Sequence, residues 1–252
     1  MIFYYSATGN TKYAAGYLGA LLNERSINIL DTPEDFAFPA DEETIGLMFP
    51  IYCWGIPPVV RRFIEKFPFH KVSNDRYLWG LCTCGDEAGT AMRQLDGLVE
   101  ACRGRKPDAL WSLIMPNTYV LLPGFDVDSA DVEKAKLESA PQKLEEIATR
   151  IMEKATGVYD VTEGCVPRLR SAVFPVFKKW GVNTKWWHVS ETCVGCGKCA
   201  SSCPAANIRL VDSRPEWGTN CYSCCACYHI CPTRAISYAS FTKNKSQYIC
   251  PL

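Results

Sequence analysis

The chain has 252 residues with 27 Lys and Arg against 27 Asp and Glu, a formal charge of zero, which argues against a nucleic-acid binder that depends on a basic surface. No stretch approaches the ~18 apolar residues of a membrane span, and the opening MIFYYSATGN lacks the basic start of a secretory leader. A cytoplasmic chain is therefore expected, its 15 cysteines reduced or on metal rather than a secreted disulfide scaffold. The length allows one large domain or a usual one plus a small one, and eight cysteines crowded into one short stretch favour two.

The first 22 residues, MIFYYSATGNTKYAAGYLGALL, read as a short β-type run, a small-residue turn and apolar positions near helical spacing: strand, loop, helix. The loop Ser6-Ala7-Thr8-Gly9-Asn10-Thr11 offers three hydroxyls and a row of backbone N–H groups at a helix N-terminus, where a phosphate is stabilised. It holds no Lys or Arg and matches neither GK[ST] nor G-x-G-x-x-G. Such a loop suits a phosphate monoester without magnesium, FMN rather than ATP. The bland alternative is a helix-capping turn, since Ser, Thr and Asn favour that place.

Four further buried strands are expected at residues 27–30, 44–50, 77–85 and 109–116, with helical patterns over about 57–67 and 88–104. Five strands alternating with helices make an α/β fold, a doubly wound parallel sheet whose ligands bind beyond the carboxyl ends of the strands. After the third strand come Pro50, Ile51, Tyr52, Cys53, Trp54 and Gly55, aromatics that can cover a flavin ring beside a glycine that lets the backbone approach its N5 edge. After the fourth come Thr83, Cys84, Gly85, Asp86, Ala88 and Gly89, a turn able to hold the pyrimidine edge through backbone groups. Asp86 and its neighbour Glu87 read as a solvated turn. On these three loops, residues 1 to about 156 resemble flavodoxin. The resemblance implies the strand order 2-1-3-4-5 and FMN bound without a covalent link. The uncharged loop over 115–124 is a departure: it borders the flavin or docks the second lobe.

From about Asp131 to Ala155 the pattern is an amphipathic, well-charged last helix, with Gly157 placed to end it. Residues 165–189 combine basic side chains with Phe174, Phe177, Trp180, Trp186 and Trp187, a composition for a packed connector rather than a flexible linker. Association with a membrane surface is the alternative, since Lys and Trp also suit interfaces.

The last part reads CVGCGKCASSCP and then CYSCCACYHICP, two copies of CxxCxxCxxxCP at an offset of 28. The repeat predicts near two-fold symmetry. Three cysteines at CxxCxxC wrap one iron–sulfur cubane while the Cys before Pro is carried to the other, so the ligand sets cross. One cluster takes Cys193, Cys196, Cys199 and Cys231, and the other takes Cys221, Cys224, Cys227 and Cys203. Tetrahedral zinc would leave a third Cys idle in each run. GCGKCA fits a G-x-G-x-x-A pattern but follows no strand and contains two of these ligands. Cys225 reads as a packing thiol, Cys250 as part of an unordered tail, and His229 as a surface or supporting residue.

Over about residues 188–240 the chain resembles the two-cluster bacterial-type ferredoxin, an α+β frame holding two [4Fe-4S] clusters. The whole resembles the fused flavodoxin–ferredoxin proteins of anaerobic microbes. The expected parts are an FMN domain over 1–160, a connector over 161–187 and a ferredoxin-like domain over 188–252. The resemblance implies an electron-transfer protein or ferredoxin-dependent oxidoreductase, with a redox partner such as ferredoxin and an acceptor at the flavin. Hydride delivery from FMN to a small substrate is the alternative, and a redox sensor a third. Catalytic residues in the acid–base sense are absent from the motifs, and a homo-oligomer is compatible with them.

Overall fold

The computed structural model describes residues 1–33, 36, 42–66, 75–173, 175 and 184–252. Phe174, Phe177 and Trp180 of the connector, and residue 67 of the expected second helix, lie outside the described residues.

A parallel sheet organises the first lobe. Its strands are β1 (Ile2–Tyr4), β2 (Ser26–Asn28), β3 (Thr44–Pro50), β4 (Tyr77–Cys84), β5 (Ala109–Ile114) and β6 (Val158–Asp160), in the order β2-β1-β3-β4-β5-β6. All eight residues of β4 are buried, as a strand covered on both faces requires. Side chains alternate between two cores. Phe3, Leu47, Phe49 and Leu78 pack on the face of α2 (Pro58–Lys66) and α3 (Ala91–Arg103). Ile2, Met48, Trp79 and Leu81 pack on the face of α1 (Asn10–Leu22) and α4 (Ala130–Met152). In α4 the buried Ala140, Leu144, Ile147, Ala148 and Ile151 form one stripe at helical spacing.

The sequence reading of five strands is corrected to six. Val158–Asp160 pairs with Ala109–Trp111, and Gly157, at φ 70, turns the chain into it by donating its N–H to the Asp108 carbonyl at 2.9 Å. A three-residue edge strand is too short to carry a period-two signal. Two boundaries shift for local reasons. Helix α4 stops at Met152, where Lys154 enters the left-handed region at φ 49, before Gly157 is reached. Strand β2 stops at Asn28 because its side chain accepts the Leu30 N–H at 3.2 Å and starts a 3-10 turn.

After β6 come α5 (Pro167–Ser171), β7 (Trp187–Val189), α6 (Lys198–Ser201), β8 (Ile208–Val211), β9 (Arg214–Trp217), α7 (Ala226–Ile230) and β10 (Ile236–Tyr238). Strand β7 pairs antiparallel with β10, and β8 with β9. The 28-residue repeat is written in the backbone. Gly195, Gly197 and Ala206 have positive φ, as do Ser223, Cys225 and Arg234 one repeat later. The Asn207 N–H donates to Cys203 Sγ at 3.3 Å, and the Ala235 N–H to Cys231 Sγ at 3.2 Å. Trp187 stacks on Trp217 at 5.5 Å and meets Tyr238 edge-on, so part of the connector's aromatic content is core. Among the described residues, no helix is long and apolar enough to cross a membrane.

Candidate functional site

The carboxyl ends of β1, β3 and β4 open into a cleft of about 950 Å³. Of the residues singled out in the sequence, Ser6, Ala7, Thr8, Asn10, Thr11, Pro50, Ile51, Tyr52, Cys53, Trp54, Thr83, Cys84, Gly85 and Asp86 line it. Gly9, Gly55, Ala88 and Gly89 do not, and each stands behind the wall for a reason.

Gly9 caps α1 at φ 103, and a Cβ there would lie 2.8 Å from Cys250 Cβ. The first intrahelical bond runs from the Tyr13 N–H to the Gly9 carbonyl at 2.9 Å, leaving the amides of Asn10, Thr11 and Lys12 ahead of it without intrahelical acceptors. That is a place for an anion. The side chains of Asn10 and Thr11 are otherwise engaged. Thr11 Oγ1 meets Thr83 Oγ1 at 2.7 Å, and Asn10 donates to the Pro116 carbonyl at 2.9 Å while accepting the Tyr248 hydroxyl at 2.7 Å. Ser6 Oγ accepts the Gly9 N–H at 3.2 Å. Ser6 keeps its own O–H to donate, so the loop presents amides and the Ser6 and Thr8 hydroxyls, with Thr11 turned to Thr83.

At the end of β3, Tyr52 and Gly55 exchange both backbone hydrogen bonds, at 2.9 and 3.0 Å, around Cys53 and Trp54 at φ 47 and 59. Both central residues at positive φ mark a type I′ turn. Gly55 thus spends its N–H and carbonyl inside the turn, and Cys53 and Trp54 form the tip. The Trp54 indole donates to Glu87 at 2.9 Å, Glu87 pairs with Arg170 of α5, and the Arg170 guanidinium lies 5.8 Å from the Trp54 ring. Glu87 is therefore a clamp for the tip, with its side chain 13% exposed, not a solvated turn residue. Gly89 backs this tip, since a Cβ there would fall 2.6 Å from Trp54 Cβ. Burial pushes the Cys53 thiol up to about 11.

Ala88 is fully buried and donates its N–H to the Thr162 carbonyl at 2.7 Å. Gly85 lines the cleft because nothing larger fits: a Cβ would lie 1.6 Å from Asn117 Oδ1. Asn117 in turn donates its backbone and side-chain N–H groups to Asp128, both at 2.9 Å, and reaches Asp86 at 3.1 Å. Lys136 joins the two carboxylates at 2.7 and 3.2 Å. Burial works against ionising Asp128, but Lys136 and Asn117 outweigh it and hold its carboxyl below the usual range. The 115–124 loop docks the second lobe and also lines the cleft. Asn117, Thr118 and Tyr119 line the cleft, while Val120 and Leu121 are fully buried in the core of the second lobe.

Residues from that lobe close the cleft: Ser223, Cys224, Cys225 and Tyr238. His229 is buried, not on the surface. Its Nδ1 accepts the Tyr248 N–H at 3.1 Å, so Nε2 carries the proton donated to the Thr118 carbonyl at 2.7 Å. Burial lowers the imidazole to about 4. Cys250 is likewise packed rather than in a loose tail, with its N–H on the Thr8 carbonyl at 2.9 Å.

The fifteen cysteines are free thiols, and the eight of the repeat line two small spaces. Cys193, Cys196, Cys199 and Cys231 line the first; Cys203, Cys221, Cys224 and Cys227 line the second, together with Cys225. Among the described residues, no three His, Cys, Asp or Glu side chains converge on a single-ion position. Four thiols around a space suit a polynuclear centre better than one zinc ion. At the second space the indole N–H groups of Trp187 and Trp217 are buried without an acceptor, as donors awaiting a partner would be. Tyr5, Arg170, Trp217 and Tyr238 were not singled out in the sequence, whereas Asn117 falls in the 115–124 loop that was. Only the uncharged 115–124 loop signalled its part there.

Residues 185–232 match the family model of the 4Fe-4S dicluster domain. No curated protein matches the chain. Among solved structures, a Fusobacterium nucleatum flavodoxin bound to flavin mononucleotide is 13% identical, with 62% of this chain and 97% of that one covered and a TM-score of 0.41. The rubredoxin oxygen:oxidoreductase of Desulfovibrio gigas is 14% identical over 61% of this chain, with a TM-score of 0.39, and the chain spans 36% of its length. The sheet order and the dicluster match together describe a flavodoxin-like α/β lobe followed by a ferredoxin-type lobe.

Proposed function

We propose that the chain is an electron-transfer iron–sulfur flavoprotein with FMN and two [4Fe-4S] clusters, linking a low-potential one-electron donor such as ferredoxin to a flavin-level acceptor. The observation that carries this is a shared wall: Cys224 and Cys225 line both the cleft and the second cysteine-lined space. FMN exchanges one or two electrons and a cubane one, so the pair can split or pool electron pairs.

In this reading the amides ahead of α1, with Thr8, hold the phosphate. The Cys53–Trp54 tip and Tyr119 flank the ring, and Gly85 leaves its edge open to backbone groups. The two crossed sets of four thiolates ligate the clusters. The lobes run over 1–160 and 188–252, joined by 161–187, and the setting is cytoplasmic, which keeps the uncommitted thiols reduced. Anaerobic mixing of reconstituted protein with reduced ferredoxin, NADH or NADPH in turn, followed at the flavin and cluster bands, tests it. Reduction by ferredoxin alone, with the clusters no later than the flavin, is expected; direct reduction of flavin by a nicotinamide refutes the donor assignment.

A second reading, hydride delivery to a small substrate, is favoured by the breadth of the cleft and by Arg170 and Phe125 at its margin. Steady-state turnover of a substrate with no protein acceptor present would select it.

A further inference from the structure

The loops beyond β1, β3 and β4 account for the inner wall of the cleft, but not for its mouth. Leu122, Phe125, Val173 and Trp186 line that mouth and are 39 to 46% exposed. Two of them stand on aromatic neighbours that also line the cleft. Phe125 meets the Tyr119 ring edge-on at 5.7 Å, and Trp186 lies 5.8 Å from Tyr238. Apolar side chains left open together in a concavity mark a surface that a ligand covers. At about 950 Å³ the cleft stands near the top of the ~300–1,000 Å³ range for one small ligand, which leaves space for a second beside a flavin.

Charge decides what kind of ligand the mouth takes. Among the described residues, the charged side chains lining the cleft are Asp86, Glu87, Asp126 and Arg170. Arg170, the one cation of the four, is already paired with Glu87. Lys136 answers Asp86 at 3.2 Å, whereas Asp126 makes no ion pair and accepts only the Val127 N–H at 2.8 Å. A carboxylate or phosphate entering here would meet net negative charge and no unpaired cation on the lining. Arg170 still offers donors to a neutral group. Glu87 takes Nη1, and no other guanidinium nitrogen has an acceptor among the described residues. A neutral planar ring edged with carbonyl oxygens matches the flat aromatic walls, the open donors and the charge.

We propose that the mouth binds an uncharged quinone, the flavin-level acceptor of the reading above, with Phe125 and Trp186 against its ring and Arg170 donating to a carbonyl oxygen. The proposal rests on that reading, in which the cleft holds FMN. Reducing the quinone takes two electrons and two protons, and each C=O becomes a C–O–H. The electrons come from the reduced flavin, refilled by the one-electron donor, and the protons from the reduced flavin and water. Arg170 serves where negative charge develops on oxygen.

Equilibrium dialysis of 2,3-dimethyl-1,4-naphthoquinone against oxidised, flavin- and iron-loaded protein tests this; the blocked 2 and 3 positions spare the free thiols. One quinone per chain should bind, about tenfold more weakly in Phe125→Ala and in Trp186→Ala, with FMN affinity unchanged in both. The ring sulfonate of the same quinone should bind at least about tenfold more weakly than the uncharged compound. Val166→Ser, at an exposed residue outside the cleft lining, should change nothing. No saturable binding, undiminished binding in either alanine variant, equal binding of the sulfonate, or a matching loss of FMN affinity overturns the proposal. So does a dimer in sedimentation that either substitution breaks, since a second copy would then cover the mouth. If Trp186→Ala does not fold, Phe125→Ala and Leu122→Ala decide by the same readings. Protein that takes up no flavin overturns the parent reading as well, whereas flavin-loaded protein that binds no quinone overturns this proposal alone.

Discussion

Substituting Gly9 by Ala isolates what the anion loop requires of its backbone. At φ 103 and ψ −28 an L-residue is strained by ~1–2 kcal/mol. The new Cβ would also stand 2.8 Å from Cys250 Cβ and 3.4 Å from its nitrogen. Relieving that contact moves the carboxyl-terminal tail and forfeits the Cys250 N–H bond to the Thr8 carbonyl, worth ~1 kcal/mol. The sum, ~2–3 kcal/mol, divides between stability and ligand binding. Were it all taken from binding, FMN affinity would fall roughly 30- to 150-fold. Flavin fluorescence quenching gives the dissociation constant, and urea unfolding of the flavin-free protein gives the remainder. Truncation after Tyr248 removes Cys250, so in that background Gly9→Ala should cost only the ~1–2 kcal/mol of backbone strain. Wild-type affinity and stability in Gly9→Ala, or an undiminished cost in the truncated chain, would refute the reasoning.

Cys225 repeats the position of Gly197 and is buried, yet it belongs to neither ligand set. Cys225→Ser should keep its full iron content while Cys224→Ser loses iron, as colorimetric iron and sulfide assays would read. Anaerobic removal of iron should weaken FMN binding at least tenfold, because Val120 and Leu121 lose their core and release the loop that carries Asn117 and Tyr119; an unchanged dissociation constant would contradict this. Asp128, held below the ordinary carboxyl range, contributes stability that is present above its unfolded pKa and lost as pH falls through its folded pKa. Urea unfolding across acid pH should therefore show a flatter profile for Asp128→Asn than for wild type.

The strands β3, β4 and β5 were legible because near-continuous apolar runs flanked by turn residues leave a buried parallel strand as the consistent reading. Strand β6 was not, since Val158, Tyr159 and Asp160 are at best half-buried and follow no alternation. Residue type pointed to the loops but not to the direction of each side chain. Asn10 and Thr11 read as phosphate donors, whereas tertiary partners 106 and 72 residues away turn them inward. His229 read as a surface or supporting residue, with the choice left open because nothing local marks the two distant backbone groups that satisfy its ring. Tyr5 looked like ordinary strand hydrophobe, and Arg170 like one charge of a basic connector. Long-range pairing of this kind leaves no periodic trace.

Domains joined by a linker are expected to move against each other unless the interface between them is large and apolar. Here the interface is built from each lobe's own core. Val120 and Leu121, which follow β5 of the sheet, are buried among Trp187, Cys227 and Tyr238, while Tyr222 is buried with Phe3 and Phe49 of the sheet lobe. Arg62 of α2 lies over the Tyr222 ring at 5.2 Å. Lys245 donates to the Val120 and Leu122 carbonyls at 2.7 and 2.6 Å, and Tyr248 and Cys250 bind the anion loop. Sliding one lobe would expose these side chains and strand their polar partners together. Separation of the cleft from the thiol-lined spaces is thus set by packing, and Cys224 keeps its place in the shared wall without any closure step. The chemistry that such a wall supports depends on distance and on donors to sulfur, both of which are already built into the folded chain.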